Sequence, residues 1–325
     1  MAAITYTTQL LNGVLMLVML FQNISRGFAS WKRVKEVLCT EPELKDGSFA
    51  QDTKIHGMIE FRDVSFAYPG SGQAVLEHIS LKVNSGETVA IMGATGCGKT
   101  SLVNLIPRFY DVASGSVLVD GVDVREYKQK ALREKVAVAL QKSELFNVTI
   151  QENIAWGKEG AAEAEIRAAA AAAQADGFIS AGTDGYDTLV AERGMSLSGG
   201  QKQRISIARA VLRQAEILIF DDAASALDLK TEANLYEALQ EFCPQCTKII
   251  VAQRIASVRR ADRIIVMDQG RILLQAPMRS FLKPAGSTRI SAILKWERRW
   301  RMPDKTSRIY QDICHSQMGE EVAYA

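Results

Sequence analysis

Residues 93–100 read GATGCGKT, between the strand-like run ETVAIM (87–92) and the helix-like run TSLVNLIPRF (100–109). The octet has the spacing G-x-x-x-x-G-K-[ST], with Gly93, Gly98, Lys99 and Thr100 at the fixed positions and Gly96 inside the turn. Glycines at a strand-to-helix turn let backbone N–H groups converge on a β-phosphate, and the helix start adds its positive end. Lys99 is placed to reach the β- and γ-phosphates. Thr100 supplies a hydroxyl to Mg²⁺, with Ser101 beside it in the nucleotide-binding set. Cys97 reads as a filler of the loop.

Further along, residues 217–228 read ILIFDDAASALD. An apolar strand ending in Asp221 is where a carboxylate holds the water shell of Mg²⁺. Asp222 follows. An aspartate is one methylene shorter than a glutamate, and a misplacement of about 1 Å costs roughly 10²-fold in rate. Two readings of Asp222 stay open: a weak general base, or an acid in a turn that caps the next helix.

Strand-like runs occur at 57–68, 78–84, 87–92, 116–120, 135–140, 216–220, 247–253 and 263–272. Residues 161–175 and 201–213 read as helices, the first an alanine-rich run broken by Glu and Arg at sensible points. Strands alternating with helices predict an α/β fold with a partly parallel sheet. The region 145–210 reads as a mostly helical subdomain.

The N-terminal run LLNGVLMLVMLF (10–21) is followed by Arg26, Lys32, Arg33 and Lys35. Its twelve residues fall short of the roughly 20 that a bilayer crossing needs. A signal peptide would carry its basic residues ahead of the run. A buried soluble helix and the end of a transmembrane helix leaving on the cytoplasmic side remain. The basic flank favours the second, in which case most of a membrane domain is absent from this chain. Residues 38–53, with Pro42 and Gly47, read as a linker.

The 325 residues are 47% hydrophobic and 23% charged, with a net charge of +2. That is a globular composition, without the charge excess or the reading element that nucleic acid would require. Five cysteines, unevenly placed, exclude a disulfide scaffold and fit a reducing compartment. Cys243 and Cys246 form CPQC, read as a pair of thiols in a surface loop, with redox activity the alternative. His56, His78 and His315 are scattered, and no second cysteine pair completes a zinc site.

The motif LSGGQKQR (197–204), with its spacing from GATGCGKT and ILIFDDAASALD, makes the chain resemble the nucleotide-binding half of an ABC exporter subunit of multidrug or lipid type, from the N-terminal helix to about Ile272. The resemblance implies a P-loop NTPase of ABC type, a mixed β-sheet core with a helical subdomain, preceded by a partial transmembrane helix. The expected domains are 1–37 (helix and its cytoplasmic extension), 38–53 (linker), 54–275 (nucleotide-binding domain) and 276–325 (an atypical end). It implies ATP and Mg²⁺ as cofactors, a membrane location with a cytoplasmic nucleotide-binding domain, and a second exporter subunit as partner.

By the same resemblance, Tyr68 in FAYPG stacks on adenine. Gln141 senses Mg²⁺ and couples to the membrane domain, joining Thr100 and Asp221 at the metal. Ser198, Gly199, Gly200 and Gln201 close on the γ-phosphate held by the opposite subunit. VAERG (190–194) touches the coupling helices, and Ser225 to Asp228 form a loop exchanged across the dimer. Two departures fall in the catalytic set with Gln141. The family's glutamate is Asp222, and its switch histidine is Gln253, in VAQR. A histidine changes protonation near neutral pH and a glutamine does not. The pair resembles the degenerate-site half of a heterodimer, with a homodimer the alternative. Leu140 replaces a proline, with little expected effect.

Residues 276–305 depart from the family, and the resemblance resumes near Ser307. This basic stretch, with Trp296 and Trp300, reads as a non-native or poorly packed segment rather than a membrane-surface helix. Two other functions remain: a soluble ABC-type ATPase of DNA repair or translation, which the apolar run opposes, and a nucleotide-binding fragment without turnover.

Overall fold

The computed structural model describes residues 2–51, 53, 56–191, 194–252 and 258–278. Gln253, Glu192, Arg193 and the atypical segment from residue 279 onward lie outside them. The chain divides into one unit ending at Lys45 and a second beginning at Asp46.

The first unit is essentially one helix, α1 (Ala2–Leu38), of 37 residues. At about 1.5 Å per residue it is roughly 55 Å long. It contains no proline. Thr7 and Thr8 turn their hydroxyls onto Ala3 O and Ile4 O, both at 2.9 Å, which satisfies them within the helix. None of its side chains is buried. The helix is long and apolar enough to cross a membrane by length and composition, which corrects the shorter span read from the twelve-residue run alone.

The second unit is built on two sheets. The first is antiparallel, in the order β2 (Leu76–Val83), β1 (Ile59–Phe66), β4 (Ser114–Val119), β5 (Val122–Asp123). Ile59, Phe61, Val64 and Phe66 of β1 point inward, the alternation expected of a half-buried strand. The second sheet runs β10 (Arg271–Pro277), β9 (Arg263–Asp268), β3 (Thr88–Gly93), β8 (Thr247–Val251), β7 (Ile217–Asp221), β6 (Val136–Ala139). Every pairing from β9 to β6 is parallel. All residues of β7 and β8 are buried, as a parallel sheet covered on both faces requires.

The alternation assigns the two cores. Val89, Ile91, Ile217, Ile219, Ile249 and Val251 pack toward the antiparallel sheet and α2 (Lys99–Asn104). Ala90, Met92, Leu218, Phe220 and Ile250 pack toward the helices α4 (Ile150–Ala155), α5 (Glu163–Ala172), α6 (Asp176–Ser180), α7 (Gly199–Leu212) and α8 (Leu229–Phe242). A further short helix, α3 (Gln129–Lys135), leads into β6. The alanine-rich run is a true helix, and Ala169, Ala170 and Ala172 bury its inner face.

Two expectations change. The run 100–109 is helical only to Asn104. Pro107 cannot continue the backbone ladder, and Arg108 adopts φ 52 with its guanidinium on Asp111 at 2.7 and 3.1 Å. The run 263–272 is a hairpin of β9 and β10 rather than one strand. Gln269 and Gly270 carry the positive φ values, 44 and 77, of its two-residue turn.

The register places the site. Gly93 pairs with Met267, Asp221 with Val251 and Ala139 with Phe220. The carboxyl ends of β3, β7 and β6 therefore open on one edge, where ligands of open α/β sheets bind.

Candidate functional site

The loop 93–98 leaves β3 and enters α2. Gly96 and Gly98 take φ 83 and 96, a conformation that costs an L side chain roughly 1–2 kcal/mol. A Cβ on Gly98 would also meet Leu76 Cδ2 at 2.8 Å, whereas one on Gly96 would meet nothing. Gly96 is therefore required by conformation, and its outer side is open to a bound group. Left-handed turns of this kind aim successive N–H groups into a concavity for anions.

Lys99 is buried, and its Nζ donates to Gly93 O at 2.7 Å and Ala94 O at 2.8 Å, with Cys97 Sγ at 3.8 Å. The loop's own carbonyls thus hold the ammonium inside its curve. Burial pushes the Cys97 thiol up, against the opposing charge of Lys99. Cys97 is a neutral packing group, as its reading as filler expected.

Thr100 Oγ1 donates to Asp221 Oδ1 at 3.1 Å. Asp221 is buried at the end of β7. Burial raises its pKa above the usual carboxylate value. The Thr100 hydrogen bond opposes the rise, the charge of Asp222 adds to it, and Lys99 opposes it. A desolvated carboxylate beside a hydroxyl is a hard, oxygen-only donor pair that suits Mg²⁺. The residues present fit the cation.

Asp222 sits at φ 50, with its N–H on Val251 O at 3.1 Å. Its Oδ2 accepts from Gln141 Nε2 at 3.0 Å. Gln141, two residues beyond β6, is thereby brought to the same edge as Asp221. Asp222 does not cap the next helix. That is done by Asp228, whose Oδ1 accepts from Lys230 N at 3.1 Å and Thr231 N at 3.0 Å.

Tyr68 is half-buried, and its hydroxyl shares a 2.8 Å hydrogen bond with Ser101 Oγ. Its ring stands edge-on to Phe66 and Tyr110, with centroids at 4.9 and 5.1 Å. Ser101, in the nucleotide-binding set by sequence, fixes this ring beside α2.

The signature residues form a capping box at the start of α7. Ser198 Oγ accepts from Gln201 N at 3.3 Å, and Gln201 Oε1 accepts from Ser198 N at 2.9 Å. This S-x-x-Q arrangement satisfies two helix-start donors. Gly199 between them is exposed and Gly200 is half-buried.

One residue escaped the sequence reading. Gln203, buried in α7, donates Nε2 to Ser225 Oγ at 3.2 Å, and its Oε1 accepts from Ala226 N at 2.9 Å. Ser225 Oγ in turn donates to Asp222 O at 2.8 Å. The signature helix is thus tied to the loop that follows the two aspartates. Its sequence signals were its place in LSGGQKQR and on the inward face of the helix.

The ABC transporter family pattern matches residues 76–225. An ATP-dependent lipid A-core flippase of Desulfotalea psychrophila is 44% identical over 264 residues, which are 81% of this chain and 46% of that protein. The β-(1→2)glucan export ATP-binding/permease protein of Rhizobium johnstonii is 48% identical over 221 residues, 68% of this chain and 38% of that protein. Among solved structures, a bacterial Atm1-family ABC exporter with ATP bound matches with a TM-score of 0.80 at 36% identity, over 90% of this chain and 51% of that one. The chain spans about half the length of these relatives, or less.

Proposed function

We propose that this chain, which carries the nucleotide-binding domain of an ABC transporter, couples Mg-ATP to export across a membrane as one half of a dimer. The 93–100 loop and Lys99 hold the phosphates, Thr100, Gln141 and Asp221 serve Mg²⁺, and Tyr68 receives the base. Mg²⁺, when bound, supplies charge neutralisation at the β- and γ-phosphates. The chain's own task is to present converging N–H groups, one ammonium and one desolvated carboxylate in fixed positions. Ser198 to Gln201 face the nucleotide of the other subunit.

Within that dimer, this chain's own site is the degenerate one. The observation that carries this reading is Asp222, a short carboxylate whose Oδ2 accepts from Gln141 at 3.0 Å. Gln253, which holds the switch position by sequence, cannot take up a proton near neutral pH. The partner would then carry the competent glutamate and histidine, and this chain's signature would complete the partner's site. The lipid A-core flippase and glucan export names belong to the relatives, and the export cargo of this chain follows from neither. Helix α1 supports a membrane location over a soluble ABC-type ATPase.

The test is Mg-ATP binding by calorimetry and steady-state phosphate release. The chain is measured alone and with a subunit that has glutamate and histidine at the positions of 222 and 253. Tight binding with little turnover alone, restored turnover in the mixed pair, and loss of that turnover with Ser198→Ala are expected. Brisk hydrolysis by the unmodified chain alone would instead establish a self-sufficient homodimer.

A further inference from the structure

The CPQC sequence is not a surface pair. Cys243 is buried at the end of α8 and Cys246 is half-buried ahead of β8. Cys246 N donates to Cys243 O at 3.3 Å, closing a four-residue turn. A closed turn keeps its end Cα atoms within about 7 Å, and a disulfide needs about 4.4–6.8 Å.

The second observation is Lys248. Its ammonium is buried, 5% exposed, and donates to Cys243 O at 2.5 Å and Cys246 O at 3.2 Å. Among the described residues no carboxylate lies within ion-pair distance of it. A buried cation held only by two carbonyls leaves its charge uncompensated, and the ionisable groups nearest to hand are the two sulfurs. We propose that Cys243 and Cys246, with Lys248, form a dithiol site that reacts with small-molecule disulfides and closes reversibly into an intrachain disulfide.

The roles divide by exposure and charge. Cys246 is the reachable sulfur, and in the thiol form it donates to Ala215 O at 3.1 Å. The hydrogen bond from Cys243 pulls it down to about 7. Burial opposes this, Lys248 assists, and Glu216 opposes. Cys243 is pushed up by that same hydrogen bond and by burial. It also caps a helix C-terminus, where the dipole disfavours an anion. Asp262 is the remaining charge facing Lys248.

The Cys246 thiolate attacks one sulfur of the small disulfide. That S–S bond breaks, a mixed disulfide forms, and one thiolate leaves and takes a proton from water. Cys243 gives its proton to water and attacks the Cys246 sulfur, releasing the second thiol. The protein loses two electrons and two protons, and the reagent is reduced to two thiols.

The test is oxidised glutathione added to the reduced chain at pH 7, followed by acid quench, alkylation and peptide mass spectrometry. Exposed Cys39 serves as the internal standard. The expected result is loss of two hydrogens in the peptide holding 243 and 246, with no retained adduct, about tenfold faster than reaction at Cys39. Cys243→Ser should trap a glutathione adduct on Cys246. Lys248→Met should slow the reaction several-fold while Lys248→Arg keeps it. Reaction at Cys39 with both loop thiols left free, or an adduct on Cys246 that never closes in the unmodified chain, would overturn the proposal. The unmodified chain and Cys243→Ser decide it even if Lys248→Met does not fold.

Discussion

Gln141 Nε2 donates to Asp222 Oδ2 at 3.0 Å, so the acid after Asp221 is held by a residue two positions beyond the neighbouring strand β6. Asp222 also sits at φ 50, a left-handed conformation that aspartate tolerates better than longer side chains. Asp222→Glu should therefore have two opposite effects. Stability should fall by about 0.5–1 kcal/mol in denaturant melts. Turnover at this chain's own site, measured in the assembled dimer, should rise by tenfold or more. Equal turnover with the same loss of stability would remove Asp222 as the cause of degeneracy.

Lys99 bonds Gly93 O and Ala94 O. Lys99→Met removes the ammonium and leaves both carbonyls without it. The expected result is a loss of Mg-ATP affinity of 10²-fold or more by calorimetry, together with faster proteolysis near the loop. Lys99→Arg should not rescue binding, because a guanidinium is too large for the curve of 93–98.

Much of this site was legible because the physics is local. A left-handed turn demands glycine, so Gly96 and Gly98 announce the loop. A strand buried on both faces reads as an unbroken apolar run, so ILIF announces β7 and places Asp221 at its end. What was not legible depends on pairing at a distance. Nothing near Ile59 says that β1 pairs with Val119 in a separate antiparallel sheet, and nothing near Gln203 says that it meets Ser225 and Ala226. The stop of α2 at Asn104 was written in Pro107 but was overridden by the apolar run around it. The paired thiols looked like loop residues because Cys243 packs into the helix-side core and Cys246 bonds Ala215 O, on a distant segment.

Asp221 gives a pH prediction. Its pKa is raised chiefly by burial. The native state then holds this proton to higher pH than the unfolded chain, so its contribution to stability is greatest below the ordinary aspartate value. That contribution is lost as pH rises from there through the raised native value. Above that window the carboxylate is charged and buried, and a bound cation offsets the cost. Asp221→Asn should raise the melting temperature at neutral pH in a chelator, flatten its dependence on pH through the acidic range, and abolish the further stabilisation by Mg-ATP. A melting temperature that falls on substitution would mean that the Thr100 hydrogen bond outweighs burial.

Gln203 offers the sharpest separation of roles. Its amide ties α7 to Ser225 and Ala226, and Gly200 packs so closely that a Cβ there would meet Ala226 O at 3.2 Å and Leu227 Cδ2 at 3.3 Å. The signature helix and the loop after Asp222 therefore behave as one body. Gln203→Leu leaves Ala226 N–H without its acceptor, at a cost of about 1–3 kcal/mol. Amide exchange at Ala226 should quicken by tenfold or more, and the turnover of the partner's site in the mixed dimer should fall while Mg-ATP affinity at this chain's own loop holds. Ser198→Ala also lowers the partner's turnover, but within this chain it removes the helix cap, at about 1 kcal/mol, and should spare the Ala226 amide. If both variants change that amide alike, the link runs through the helix start and not through Gln203.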